Sequence, residues 1–192
     1  MKKSQLELAL RTAGEVARDP DFIVFGSQSI LGTVVSPPKE CLLSGEVDLY
    51  PRLHPQAAVL LATQLGARSV FSKKHGFFVD CVTPDLAAFP EGWTDRLIPF
   101  RNRRTGGVTA WCVELHDLAA SKLAAAREKD LVYVRALLAA RLIKTAILGN
   151  RIATLPVNPF HRKEIVVLIK RLVREANATR RPGKKKNKCP RP

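Results

Sequence analysis

Glu46-Val47-Asp48 and Asp80 are the residues of this chain whose types and spacing suit chemistry. Alternate residues of a strand face the same side. The acid–apolar–acid triplet therefore groups two carboxylates and sends Val47 back toward the core. Two carboxylates that close repel each other unless a cation sits between them. Mg²⁺ is the usual answer, and it favours one or two carboxylates plus substrate phosphates. Asp80 stands in a second apolar run, Phe77-Phe78-Val79-Asp80-Cys81-Val82. A buried carboxylate needs a partner, and a metal shared with Glu46 and Asp48 supplies one. Upstream, Val24-Phe25-Gly26-Ser27 reads as a buried strand opening into a turn and a helix start. Backbone N–H groups at such a turn suit a triphosphate. Three acids on two adjacent strands beside a Gly-Ser turn suit metal-assisted nucleotidyl transfer. One metal would help activate a hydroxyl, and a second would neutralise the phosphates and the leaving pyrophosphate. Each piece alone has a plainer reading: a solvated strand face for Glu46 and Asp48, a buried arginine partner for Asp80. The combination favours the site.

The elements that must position these residues follow from periodicity. Leu6, Ala9, Leu10, Ala13 and Val16 predict an amphipathic helix over residues 4–18. Phe22–Phe25 is a short apolar strand, Ser27 is placed to cap a helix to about Leu31, and Val34–Glu40 is a loop. Residues 46–50 form the second strand. Pro55 opens a helix that runs to Leu65. Residues 69–72 and 77–82 read as two strands of a hairpin turning through Lys73-Lys74-His75-Gly76. Residues 84–93 are loop-like, and 96–100 with 108–113 form a last hairpin around Arg101, Arg103, Arg104 and Gly106-Gly107. Beyond Glu114 the pattern is helical to Leu148, with a break near Glu128–Asp130, and again from about Phe160 to Ala176. Strands first and helices after predict an α+β fold: a small mixed sheet with flanking helices over 1–113, a helical part over 114–178, and a basic, disordered tail over 179–192.

Composition narrows the partners. The 192 residues carry 32 Lys and Arg against 17 Asp and Glu, a formal charge of +15. Seven of the basic residues fall from Ala178 onward, yet the rest still outnumber the acids. Such a field favours polyanions. Cys41, Cys81, Cys112 and Cys189 form no C-x-x-C pair, which argues against a zinc site or disulfide scaffold and points to a reducing, cytoplasmic setting. No apolar run is long enough to suggest a membrane span. The four histidines are dispersed and read as surface or capping residues.

Phe25-Gly26-Ser27, then Glu46-Val47-Asp48, then Asp80 on a later strand resembles the polymerase β type of nucleotidyltransferase. Within that superfamily the chain looks closest to stand-alone proteins related to AbiEii-type abortive-infection toxins. A second block, Asp117-Leu118 to Asp130, resembles the segment of those proteins in which Asp-Leu, a Lys and a later basic-Asp pair recur. The likeness spans roughly residues 20–135. It implies a Mg²⁺- (or Mn²⁺-) dependent enzyme with Glu46, Asp48 and Asp80 as catalytic metal ligands. It implies a nucleoside triphosphate, such as ATP, as donor and an RNA 3′ end, tRNA in particular, or a protein as acceptor. A cognate antitoxin partner also follows from it. Two departures, Glu46 where Asp is commoner and Leu42 where AbiEii-type chains carry Arg, favour an alternative: a binding module of this fold that has lost its chemistry.

Lys122 and Lys129 fall on one helical stripe with Leu115, Leu118, Ala125, Val132 and Ala136. Buried lysine is costly unless paired, so either these residues snorkel to solvent along their stems or the stripe lines a cleft. The resemblance favours the cleft. It implies that Gly26, Ser27, Lys122, Arg127, Lys129 and Asp130 bind nucleotide, with Lys122 on the triphosphate. Asp130 is placed to orient Lys122 or Arg127, or to touch the nucleotide. Asp117 reads as a first-turn acid favoured by the helix dipole. The arginine loop is either a solvated turn or a phosphate contact. The Lys184-Lys185-Lys186 tail suits non-specific nucleic-acid binding or solubility.

Overall fold

The apolar run after Asp21 dictates the centre of the molecule. Asp21–Phe25 forms β1, and Phe22 to Phe25 are all buried. A strand covered on both faces reads as continuous apolar sequence. The computed structural model describes residues 1–179, and five strands there make one mixed sheet in the order β3-β2-β1-β5-β4. Glu46–Pro51 forms β2, antiparallel to β1, with Phe25 opposite Asp48. Phe78–Cys81 forms β3, parallel to β2, with Asp48 beside Asp80. Ile98–Phe100 (β4) and Thr109–Cys112 (β5) are the expected antiparallel hairpin, and β5 runs parallel to β1. The chain is α+β, as its order of elements predicts.

Helix α1 (Lys3–Ala17) buries Leu6, Ala9, Leu10 and Ala13 completely, the stripe read from their spacing. Asp19, itself buried, accepts the N–H groups of Asp21, Leu53 and His54, which ties the end of β2 to the start of β1. After β1 comes a tight 3-10 turn, Ser27–Ser29, then α2 (Ile30–Thr33). Ser27 makes no side-chain cap there; its hydroxyl is engaged elsewhere, as described below. A 3-10 turn beginning at Pro55 leads into α3 (Ala58–Leu65).

The expected strand at 69–72 is instead the start of a helix, α4 (Val70–His75). The Ser69 hydroxyl accepts the Ser72 N–H at 3.0 Å, Lys73, Lys74 and His75 sit at the negative end of the helix dipole, and Gly76 closes it at φ +70°. β3 thus reaches β2 by a helical crossover, which is what parallel pairing requires.

The helical half contains α5 (Leu115–Ala125), α6 (Glu128–Ala139), α7 (Thr145–Ala153) and α8 (Pro159–Thr179). The first break falls at Ala126, slightly earlier than expected, with φ +51° and its N–H on the Lys122 carbonyl. The Lys122–Lys129 stripe is therefore split between two helices. None of the helices among the described residues is long and apolar enough to cross a membrane. The tail beyond Thr179, with Lys184-Lys185-Lys186 and Cys189, lies outside the described residues.

Candidate active site

The register of the sheet builds the site. Phe25 faces Asp48 across β1 and β2, and Asp48 faces Asp80 across β2 and β3. The turn that follows Phe25 therefore arrives beside both acids. Val47 is fully buried, while Glu46 and Asp48 emerge on the opposite face. Gly26 has φ +72°, and a Cβ on it would lie 1.8 Å from Asp48 Oδ2. Only glycine lets the carboxylate rest against the backbone of the turn.

These acids and the turn open onto a cleft of about 660 Å³. Glu46, Asp48, Asp80, Gly26, Ser27, Lys122, Arg127 and Lys129 all line it. Burial, then the charge of Glu46, then that of Asp80 push the Asp48 carboxyl from its ordinary 3.8 up to about 7, against the pull of Lys122 and Lys129. Burial and Glu46 likewise raise Asp80. Asp48 thus feels both other acids, and among the described residues Asp80 forms no ion pair with an arginine.

Among the described residues, no three His, Cys, Asp or Glu side chains form a ready metal cage. Mg²⁺ does not need one, because it takes one or two carboxylates and completes its shell with phosphate and water. The donor set fits such an ion: all oxygen, partly solvated, and carrying a mutual repulsion that a divalent cation would relieve.

Opposite the acids stands a buried polar network. Lys122 is 7% exposed, and its Nζ donates to Asp130 Oδ1 at 2.9 Å and Ser27 Oγ at 3.1 Å, 4.6 Å above the Tyr133 ring. Tyr133 donates its hydroxyl to the Ser27 carbonyl at 2.9 Å. Arg127 Nε donates to Asp130 Oδ2 at 2.6 Å. Burial alone would raise the Asp130 carboxyl, but the Arg127 hydrogen bond and the Lys122 charge outweigh it and hold it below the usual range. Asp130 thus orients both Lys122 and Arg127 from beneath the cleft. Lys122 does not snorkel. Lys129, mostly exposed, approaches Glu46 Oε1 at 3.9 Å.

Residues 5–166 match the family described as nucleotidyltransferase of unknown function (DUF6036). The chain belongs to that family. No curated protein and no solved structure matches it. The family span contains every residue of the cleft named above, and membership supports nucleotidyl transfer as the general class of chemistry.

In this nucleotidyltransferase-family chain Asp117 lies in the first turn of α5, as its place in the sequence suggested, and there it turns inward. It is fully buried, bonded by Arg96 Nε at 2.8 Å and Nη2 at 3.0 Å, and approached by Arg151 Nε at 2.9 Å. The first-turn N–H groups are instead met by Glu114. His116 is a buried joint: its Nδ1 hydrogen goes to Glu114 Oε1 at 2.6 Å, and Nε2 accepts the Lys144 N–H at 2.8 Å. The arginine loop at 101–104 precedes β5, whose first residue pairs with the first residue of β1. Gly26 follows the far end of β1, so the loop stands a strand length from the acids, about 16 Å for five residues. It lines no part of the cleft. Leu86, Phe89, Val157 and His161, which line the cleft, and Tyr133, which lies under Lys122 and bonds the Ser27 carbonyl, are site residues that the sequence did not single out. Tyr133 had one available signal, its place three residues after Asp130 on the same helix face.

Proposed function

We propose that this protein is a metal-dependent nucleotidyltransferase that moves a nucleoside monophosphate from a nucleoside triphosphate to a hydroxyl. The observation that carries the reading is Asp48, pressed against Gly26 between Glu46 and Asp80 and raised to about 7 by burial and those two charges. A cleft carboxyl moved that far, first by burial and then by specific charged neighbours, is characteristic of a functional site. Glu46, Asp48 and Asp80 would hold Mg²⁺ or Mn²⁺, which supplies charge neutralisation at the phosphates and a lowered pKa for the attacking hydroxyl. The Gly26-Ser27 backbone would receive the phosphate chain, with Lys122 fixing the Ser27 side chain and Arg127 and Lys129 at the rim. The acceptor oxygen bonds to the α-phosphorus, the bond from that phosphorus to the β-bridging oxygen breaks, and pyrophosphate leaves with the electron pair. The acceptor proton passes to water.

The AbiEii-type resemblance supports an RNA 3′ end, tRNA in particular, or a protein hydroxyl as acceptor, and a toxin-antitoxin or phage-defence role with a cognate antitoxin. Incubation with labelled nucleoside triphosphates, Mg²⁺ and a tRNA pool tests the reading. Transfer that persists undiminished in Asp48→Ala, or no transfer to any acceptor, refutes it. A second reading, a nucleotide- or nucleic-acid-binding module without turnover, is favoured by the Lys129–Glu46 approach and by the engagement of Lys122 with Ser27 and Asp130. RNA binding that survives Asp48→Ala and falls steeply with salt would select it.

A further inference from the structure

The lining of the cleft is of two chemical kinds. Acids, glycine turn and lysines make up one part of its lining; another part is a wall built from Leu86, Phe89, Val157 and His161. Leu86 is 77% exposed although it faces a concave site. A large apolar side chain presented into a cleft marks a contact with an apolar ligand surface.

The wall is fixed, although much of it lies outside regular structure. Phe89 is buried, stacks on Trp93 at 4.6 Å and meets Phe25 edge-on at 6.5 Å. Phe25 is the residue before Gly26, so the wall is packed directly behind the phosphate turn. The Glu91 N–H reaches the Thr154 carbonyl at 3.2 Å, and Arg96 holds the Glu91 carbonyl at 2.8 Å. Asp117 gathers Arg96 from the wall segment and Arg151 from α7, the helix that leads to Val157 and His161. Both strips of the wall are thus keyed to α5, five residues before Lys122 on that helix. The buried charge cluster serves as a positioning device that sets the wall at a fixed offset from the phosphate turn.

We propose that this wall seats the nucleobase of the donor: Leu86 and Val157 pack on its face, with Phe89 behind them and His161 at its edge. The proposal rests on the nucleotidyltransferase reading above. It assigns the base to the part of the lining formed by Leu86, Phe89, Val157 and His161, none of which is a carboxylate, so that a planar heterocycle loses least on desolvation there.

Calorimetric titration of the full chain with ATP and with inorganic tripolyphosphate, each with Ca²⁺ to block turnover, separates the two parts of the lining. The native protein is expected to bind ATP at least about tenfold more tightly than tripolyphosphate, the worth of a well-buried apolar contact. Leu86→Ala with His161→Ala is expected to erase most of that difference and leave tripolyphosphate unchanged. Both side chains are outside the core, so the variant should fold, and circular dichroism checks it. Equal affinity for the two ligands in the native protein overturns the base seat while leaving the phosphate site standing. A variant that retains the native preference for ATP also overturns it. Binding of neither ligand overturns both the seat and the enzyme reading beneath it.

Discussion

Replacing Asp48 by Asn removes the charge that the cleft holds at greatest cost, so it should trade activity for stability. The folded carboxyl sits at about 7 against an ordinary 3.8. At about 1.4 kcal/mol per pH unit, the ionised side chain costs the metal-free fold on the order of 4 kcal/mol above neutral pH. The sign follows from proton binding. A raised carboxyl holds its proton more tightly in the fold than in the unfolded chain, so its contribution is complete below the unfolded value and is lost as pH rises through the folded one. The margin by which Asp48→Asn exceeds the native protein should therefore widen by about 2–3 kcal/mol between about pH 5 and about pH 8. Urea unfolding in chelator-treated buffer at both pH values measures it. Adding Mg²⁺ at the higher pH should stabilise the native protein and not the variant. Nucleotidyl transfer should disappear in the same variant. A margin that stays constant with pH would show that Asp48 is not crowded by Glu46 and Asp80, and the metal reading would fall with it.

Three further outcomes follow from particular contacts. Lys122→Met leaves the buried Asp130 with Arg127 alone and should cost about 3–5 kcal/mol in denaturant unfolding, the usual penalty for breaking a buried pair. Gly26→Ala drives a methyl into Asp48 Oδ2 at a positive φ; nucleotidyl transfer should drop below detection while the far-ultraviolet circular dichroism stays native. Ala126→Gly relieves the left-handed residue between α5 and α6 and should raise stability by about 0.5–1 kcal/mol in thermal or urea unfolding.

The sheet was readable because its signals are local. Phe22–Phe25 announces a central strand, and Glu46-Val47-Asp48 shows which face of β2 is polar. The placement of Asp80 beside Asp48 needed only that the two strands be neighbours. Residues 69–75 misled because Val70 and Phe71 are good strand formers, and six helical residues are too few to display a period; the cap at Ser69 and the stop at Gly76 decided the outcome. The first-turn place of Asp117 was readable, but its burial was not, because both of its partners are distant in sequence, Arg96 by 21 residues and Arg151 on another helix. Helical spacing gave Lys122 and Lys129 a common stripe, but one alanine in the left-handed region turned the chain between them. The wall of the cleft left no trace in the sequence at all. Apart from His161 its residues are ordinary apolar ones, brought together by the Arg96–Asp117–Arg151 contacts, the Glu91–Thr154 hydrogen bond and the packing of Phe89 on Phe25.

Asp80 lies on β3, an outermost strand, which is hydrogen-bonded within the sheet to β2 alone. Peripheral strands detach at lower free-energy cost than central ones. Gentle warming should therefore dismantle the carboxylate trio while the interior remains intact, so loss of turnover should precede any collapse of helical signal. The chemistry of this enzyme candidate is hung on one of the two open seams of its scaffold.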